Sequence, residues 1–296
     1  MNERKPDRVG QVFAALGKSV CYVALFLGMQ VLVMLPLIIS AVTGMVSGDL
    51  SWAYDILNAD AMAYSLISGL LTIAIVLAFY LIRRKKLSEA LMLRPVPAPT
   101  LLTAASLAPA LYFLVTGALS LLPEAWLESY VEASAGIDTG SLIGVIAVAV
   151  VAPIVEEFIF RGLVLNRLSR VMPGWLAVVL SAAAFGACHG HPVWFAYAFV
   201  LGAVFGFIDL RAGSIWPSIL GHVAFNAIGQ IFTFVPETEE GTEVVIAMGV
   251  LLVVGIVLPL INRKAVAALF RPAPKGEGGD EPPAGANTYD YDPWEK

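Results

Sequence analysis

Long apolar stretches, separated by short segments rich in charge, proline and glycine, dominate the chain from residue 19 to residue 262. A helix that crosses a bilayer needs about 20 mostly apolar residues, and this length divides the pattern into eight candidate transmembrane helices. They run approximately over residues 19–46, 62–82, 100–122, 141–165, 174–190, 193–210, 214–235 and 243–262. The pattern therefore predicts an all-α fold, a polytopic membrane helix bundle with about eight transmembrane helices.

Composition supports a membrane protein and argues against a nucleic-acid partner. Of the 296 residues, 58% are hydrophobic and 14% are charged, whereas an ordinary soluble domain has about 25% charged residues. The formal net charge is −5, and nucleic-acid binding requires a basic face. The partner that composition predicts is the lipid bilayer.

The basic residues predict how the chain is oriented. Lys and Arg accumulate in cytoplasmic loops of membrane proteins. With the N-terminus inside and eight spans, all 18 Lys and Arg residues fall on the cytoplasmic side or at its edge, Arg161 among them. The charged residues in the loops on the other side are all acidic and include Asp49, Glu124 and Glu237. This asymmetry predicts an integral membrane protein with both termini in the cytoplasm.

Three charged residues lie in the fourth apolar span, in the stretch EEFIFR. Inserting one charged side chain at the centre of a bilayer costs at least about 2.5 to 3.5 kcal/mol of free energy. These three residues are therefore expected to have a structural or functional role. Glu157 and Arg161 are spaced i and i+4 in the favoured order for a helical ion pair. Glu156 lies about 100° further round the helix. The spacing predicts that Glu157 neutralises Arg161 and braces the helix, while Glu156 faces a cavity.

Two histidines and an asparagine place further polar groups in apolar spans. In SAAAFGACHGHP, His189 follows Phe185 by four residues, and in SILGHVAFNAIG, His222 and Asn226 have the same spacing. The economical way to shield these polar faces from lipid is to turn them toward one another. We therefore expect Glu156, His189, His222 and Asn226 to converge.

Such a set of side chains is suited to amide hydrolysis. Glu156 could act as general base on a water while the histidines position that water or protonate the leaving amine. Asn226 could donate a hydrogen bond to the oxyanion. The same set could instead bind zinc or another divalent metal through Glu156, His189 and His222, with a fourth position open for water. These residues alone do not establish that a cofactor is bound, so the question of metal dependence stays open.

These residues also carry a resemblance to a known family. EEFIFR, FGACH and HVAFN match, in order, the motifs EExxxR, FxxxH and HxxxN of the CPBP family. Residues 140–235 thus resemble the intramembrane proteases that include the type II CAAX prenyl endopeptidase and the bacteriocin-immunity (Abi) proteins. The resemblance implies that Glu156 activates water and that His189, His222 and Asn226 complete the site, with Glu157 and Arg161 as supporting residues. The family is called metalloprotease, yet it is also described as using a glutamate without an obligatory metal.

The resemblance implies an intramembrane endopeptidase of a bacterial plasma membrane. Its substrates would be membrane-associated peptides or proteins, either CAAX-like or bacteriocin-related. We expect four segments along the chain. They are a cytoplasmic N-terminal segment (1–18), the first three membrane helices with their loops (19–135), a CPBP-like catalytic helix bundle (136–262) and a disordered cytoplasmic tail (263–296).

Two other functions fit the same polar groups. A proton-coupled transporter would use Glu156 and the histidines as a relay, and an inverted repeat, which the sequence does not show, would favour it. A non-enzymatic immunity or scaffold protein would use the polar cluster only to hold the bundle together. A protease differs from both because replacement of Glu156 by glutamine would abolish cleavage of the substrate while the protein still folds.

Overall fold

The protein is helical throughout the part of the chain that the computed structural model describes, which comprises residues 8–47, 51–134, 141–232 and 242–269. The helices are α1 (Arg8–Ser47), α2 (Ser51–Ile82), α3 (Leu87–Ala90), α4 (Ala98–Leu119), α5 (Glu124–Ser134), α6 (Leu142–Ser169), α7 (Gly174–Ala187), α8 (Pro192–Ala212), α9 (Trp216–Phe232), α10 (Thr242–Ile261) and α11 (Arg263–Leu269). The predicted all-α fold is confirmed.

Each of the eight predicted spans corresponds to a helix. Within the described ranges, six helices are long and apolar enough to cross a membrane, namely α1, α2, α4, α6, α8 and α10. The other two, α7 and α9, have 14 and 17 residues. Six long helices and two shorter ones are consistent with the prediction of a polytopic bundle with about eight spans.

The ends of several elements differ from the prediction. Helix α1 begins at Arg8, so part of the predicted N-terminal segment is helical. The predicted loop between the third and fourth spans contains α5, whose first-turn Glu124 complements the helix dipole. Helix α11 occupies the start of the predicted tail, where RKAVAAL consists mainly of good helix formers. Residues 270–296 of that tail lie outside the described ranges.

Helix α6 is the central element of the bundle. It contacts α1, α2, α7, α8 and α9. Seven consecutive residues, 159–165, are buried, because a helix that is apolar around its whole circumference is covered on all sides. The glutamates and the arginine of EEFIFR are therefore carried by a helix that other helices enclose on several sides.

Two stretches of α6 are wound as π-helix, Ala147–Val151 and Phe158–Leu165. A π turn moves the backbone acceptor from residue i−4 to i−5, and the carbonyls at its junctions need donors from elsewhere. Neighbouring helices supply them. Asn226 Nδ2 donates to the Val148 carbonyl at 2.9 Å, and Ser181 Oγ donates to the Phe160 carbonyl at 2.8 Å. The two π-helical stretches flank Glu156 and Glu157.

A glycine lets α9 approach its neighbours closely beside one of the histidines. A Cβ atom added at Gly221 would lie 2.5 Å from Phe205 Cε1 and 3.1 Å from the Ala104 carbonyl oxygen. Only a residue without a side chain fits between α4 and α8 at this point. Since His222 is the next residue, the position of its imidazole depends on this contact.

The turn between α8 and α9 is fixed by polar contacts. Gly213 closes α8 with a φ of 64°, a conformation that glycine adopts without steric cost. Asp209 Oδ1 accepts a hydrogen bond from the backbone N–H of Ser218 at 3.1 Å. Ser214 Oγ donates to the Arg94 carbonyl at 2.7 Å. These bonds set the start of α9 and therefore the height of His222 in the bundle.

Candidate active site

A buried ion pair lies at the centre of the site. Arg161 Nε is 3.0 Å from Glu157 Oε2, and the two side chains are 1% and 0% exposed. The guanidinium carbon lies 4.5 Å from the centre of the Phe185 ring. The pairing follows the i, i+4 spacing, and both side chains are enclosed by the surrounding helices. A carboxylate and an aromatic face together let this cation stay in the bundle interior.

His222 lies between the two glutamates. Its Nδ1 is 2.8 Å from Glu157 Oε1, and its Nε2 is 3.8 Å from Glu156 Oε2. A carboxylate only accepts hydrogen bonds, so Nδ1–H is the donor to Glu157. The rings of Phe185 and Phe205 pack against the imidazole at centroid distances of 5.7 and 6.2 Å. His222 is thus locked in orientation, with its Nε2 turned toward Glu156.

Glu156 is the more accessible of the two glutamates. Its side chain is 19% exposed, whereas that of Glu157 is 0% exposed. It lines a cavity of about 50 Å³ between α1, α2 and α6, together with Gln30, Ser65 and Ser68. A cavity of this size with several polar walls can hold a water molecule. The division predicted for the pair is therefore seen in the burial, with Glu157 enclosed and Glu156 facing a polar cavity.

His189 lies in the turn that follows α7, two residues beyond the end of the helix at Ala187. Its Nδ1–H donates to the Phe185 carbonyl at 2.9 Å, and its ring lies 4.8 Å from the Phe185 ring. Phe185 therefore contacts both histidines. Helix α6 continues to Ser169, so Glu156 is close to the middle of the helix and at a depth that the end of α7 can reach.

Asn226 reaches the same region from α9, one turn beyond His222. Its carboxamide nitrogen donates to the carbonyl of Val148, in the first π-helical stretch of α6. An amide nitrogen has two hydrogens, and this bond uses one of them. The asparagine therefore attaches α9 to α6 and keeps a second donor for another acceptor.

Asp209 is a buried carboxylate that the sequence analysis did not select. It is 0% exposed, and it interacts electrostatically with Glu157 and Arg161. The signal in the sequence is that Asp209 is the one acidic residue in the predicted span 193–210. Because it lies at the end of that span, it was indistinguishable from a loop residue. The structure places it inside the bundle, where it joins α8 to the first turn of α9.

The structure does not group the residues considered for zinc as a metal site. Among the side chains that the structure describes, no three His, Cys, Asp or Glu residues are grouped so that they could hold a metal ion. Nδ1 of His222 is bonded to Glu157, and Nδ1 of His189 is bonded to a backbone carbonyl. These bonds leave Nε2 of both rings available, as in histidines that bind a metal through that atom, but Glu156, His189 and His222 are not grouped as a three-ligand centre.

Comparison with known proteins identifies the segment that carries these residues. The family model for Rce1-like type II CAAX prenyl endopeptidases matches residues 138–228. No curated protein and no solved structure matches the chain. The matched segment includes Glu156, His189, His222 and Asn226, and the resemblance based on the three motifs is confirmed over this range. Over residues 138–228, the chain is similar to the Rce1-like type II CAAX prenyl endopeptidases.

Proposed function

We propose that the protein is an intramembrane endopeptidase in which Glu156 activates a water molecule for attack on a peptide bond. The observation that carries the proposal is the placement of His222 between the two glutamates, 2.8 Å from Glu157 and 3.8 Å from Glu156. One carboxylate orients the imidazole, and the other is accessible to a polar cavity. When two neighbouring carboxylates lie in different environments, they can take different roles in a reaction.

The separation between His222 and Glu156 suits a bridging water. With Nδ1–H donating to Glu157, Nε2 of the neutral imidazole is a hydrogen-bond acceptor, and so is the Glu156 carboxylate. At 3.8 Å, these two acceptors do not bond each other, but one water can donate a hydrogen to each. Such a water would be polarised by a carboxylate and oriented by an imidazole before the substrate arrives.

The reaction follows from this arrangement. Glu156 takes one proton from the water, and the water oxygen forms a bond to the carbonyl carbon of the peptide, whose oxygen becomes the oxyanion. The second N–H of Asn226 stabilises that oxyanion. When the C–N bond breaks, the proton held by Glu156 passes to the leaving amine, either directly or through a histidine. Glu156 is again a carboxylate at the end, and no metal takes part in any step.

In this proposal Glu157 and Arg161 act through their neighbours. The guanidinium neutralises Glu157, and Glu157 holds the His222 ring by a charge-assisted hydrogen bond. The Phe185 ring contacts the guanidinium of Arg161 and the imidazoles of His189 and His222. The buried pair is therefore a support for the imidazole, and Glu156 is the group that reacts.

The proposed substrates are peptides or proteins associated with the membrane, either CAAX-like or bacteriocin-related. The deciding experiment uses the full-length protein in proteoliposomes, with a farnesylated C-terminal peptide and an unprenylated membrane-anchored peptide as reporters. We expect cleavage of at least one reporter, and Glu156→Gln should reduce its rate by about 10² to 10⁴. The matched control is Glu89→Gln, because Glu89 is half exposed and paired with Lys86 at the surface.

The outcomes separate the proposal from its alternatives. Unchanged cleavage in Glu156→Gln would end the assignment of the base. Absence of cleavage by the wild type, together with proton flux that Glu156→Gln abolishes, would favour the transporter.

We also propose that the chain resides in a bacterial plasma membrane with both termini cytoplasmic, as the charge asymmetry supports. Reporter fusions active only on the periplasmic side would contradict that orientation.

A further inference from the structure

A second cavity differs in its lining from the candidate active site. It has a volume of about 430 Å³ and lies between α1, α2 and the end of α6. Four cationic residues line it, Lys18, Arg83, Lys85 and Arg167, and none of its lining residues is acidic. The lining of this cavity thus carries four positive charges and no negative charge.

The inner wall of this cavity is built by a tyrosine pair. The hydroxyl oxygens of Tyr22 and Tyr80 are 3.0 Å apart, and Arg167 Nη2 donates to the Tyr22 hydroxyl at 3.1 Å. Tyr80 is only 3% exposed. These contacts hold the Arg167 guanidinium against α1 and α2. A guanidinium fixed in this way is an oriented donor for a phosphate group.

The remaining wall is apolar and belongs to the outer surface of the bundle. Leu25, Ile75 and Phe79 line the cavity, and Ile75 and Phe79 are 40% and 47% exposed. In a membrane these side chains contact lipid tails. The cavity therefore joins a cationic end to a hydrocarbon-facing wall, which are the two parts that an anionic lipid requires of a binding site.

We propose that this cavity is a binding site for one anionic phospholipid. The phosphate would bind among Arg167, Lys18 and the basic end of α2, and an acyl chain would lie along Ile75 and Phe79. A free phosphate would use only the cationic half of the cavity. A zwitterionic lipid would bring its own positive charge to a site that already has four cations. The geometry points to a headgroup such as that of phosphatidylglycerol.

The site would connect three elements that matter for the fold. An occupant would contact α1, α2 and the end of α6, and α6 carries Glu156 and Glu157. Binding to the folded protein and not to the unfolded chain raises stability by mass action. Phosphatidylglycerol should therefore raise the unfolding temperature of the full-length protein, while the same amount of phosphatidylcholine should not.

The experiment measures lipid binding to the delipidated full-length protein in detergent by native mass spectrometry. Phosphatidylglycerol, phosphatidylcholine and inorganic phosphate are titrated separately. We expect one phosphatidylglycerol to bind more tightly than either of the others. Arg83→Gln removes one charge without touching the tyrosine pair and should weaken this binding about fivefold, given about 1 kcal/mol for each basic residue near a headgroup. Lys264→Gln, on α11 and outside the cavity, is the charge-matched control.

A second variant tests the apolar half of the cavity. Ile75→Trp fills the wall without changing charge, and it should also weaken phosphatidylglycerol binding. If Ile75→Trp binds normally while Arg83→Gln is impaired, or if inorganic phosphate competes at equal concentration, the site is an anion site and the lipid proposal fails. Equal binding of the two lipids by the wild type would also overturn it. Unchanged unfolding temperatures of both variants without lipid show that folding is intact.

Discussion

His222 donates a 2.8 Å hydrogen bond from Nδ1 to Glu157, so the carboxylate that neutralises Arg161 also orients the imidazole beside Glu156. Side chains from three helices are in contact here. Helix α6 carries both glutamates, α9 carries His222, and α7 carries Phe185, whose ring packs against the imidazole. Stability and reactivity are therefore divided between two adjacent residues, and substitution at each should have a different effect.

Glu157→Gln should destabilise the protein, whereas Glu156→Gln should not. Removing the Glu157 charge leaves the Arg161 guanidinium buried without its partner, and breaking one member of a buried pair costs about 3 to 5 kcal/mol. Thermal unfolding in detergent measures the difference. In the double variant Glu157→Gln with Arg161→Met, the loss should be smaller than the sum of the two single losses. Additive losses would mean that the pair is not a unit.

Asn226→Ala should reduce kcat more than it changes KM. The second amide hydrogen is proposed to act only when the oxyanion forms, and loss of one such donor costs about 10² to 10³ in kcat. Asn226→Asp should be equally impaired, because its carboxylate cannot donate to either the oxyanion or the Val148 carbonyl. Steady-state kinetics on a reporter peptide test this. Activity of Asn226→Asp near that of the wild type would exclude the oxyanion role.

Asp209→Ala should destabilise the start of α9, and Asp209→Asn should be tolerated. Asp209 Oδ1 accepts from the Ser218 N–H, and asparagine keeps an oxygen for that bond. Loss of a helix-capping acceptor costs about 0.5 to 2 kcal/mol. The comparison of unfolding temperatures separates the cap from the charge. Equal destabilisation in both variants would show that the negative charge near Arg161 is what matters.

Gly221→Ala should impair cleavage through a displacement of His222. The added Cβ would lie 2.5 Å from Phe205 Cε1, and overpacking of this kind costs about 1 to 3 kcal/mol. Gly28→Ala is the matched control, since nothing lies within 4 Å of the Cβ that it would add. In an exposed helix position this control should be neutral or stabilising. Normal activity of Gly221→Ala would mean that α9 can shift without moving the imidazole.

Chelators should not abolish cleavage. The structure groups no three metal-binding side chains among the residues it describes, and the proposed reaction needs none. Cleavage is measured after incubation with EDTA and dialysis. Loss of activity that zinc restores would indicate that the histidines bind a metal through Nε2 while their Nδ1 hydrogen bonds persist, and would overturn the metal-free reaction.

The helical spacing in the sequence was sufficient to predict the pair within α6. Glu157 and Arg161 are one turn apart, so their contact depends on local geometry alone. The bond between His222 and Glu157 joins residues 65 positions apart, and no periodicity determines which of two adjacent glutamates a distant histidine will reach. The candidate residues other than Asp209 could therefore be selected from the sequence, but the contacts between them could not.

Two other features were hidden for physical reasons. The second π-helical stretch of α6 leaves no trace in hydrophobic periodicity, because residues 159–165 are buried on every side. The burial of Arg161 was not predicted, because the positive-inside rule treats basic residues as loop markers. That rule does not anticipate a cation neutralised inside the bundle by a carboxylate four residues earlier.

The depth of Glu156 restricts the shape in which a substrate can react. Glu156 lies near the middle of the 28-residue helix α6, far from either end of that helix. A helical substrate keeps its peptide carbonyls in hydrogen bonds, and an extended one exposes them to hydrocarbon. The polar wall formed by Gln30, Ser65 and Ser68 offers partners to such a backbone. Peptides that unwind easily, with glycine or proline near the scissile bond, should therefore be cut faster than stable helices.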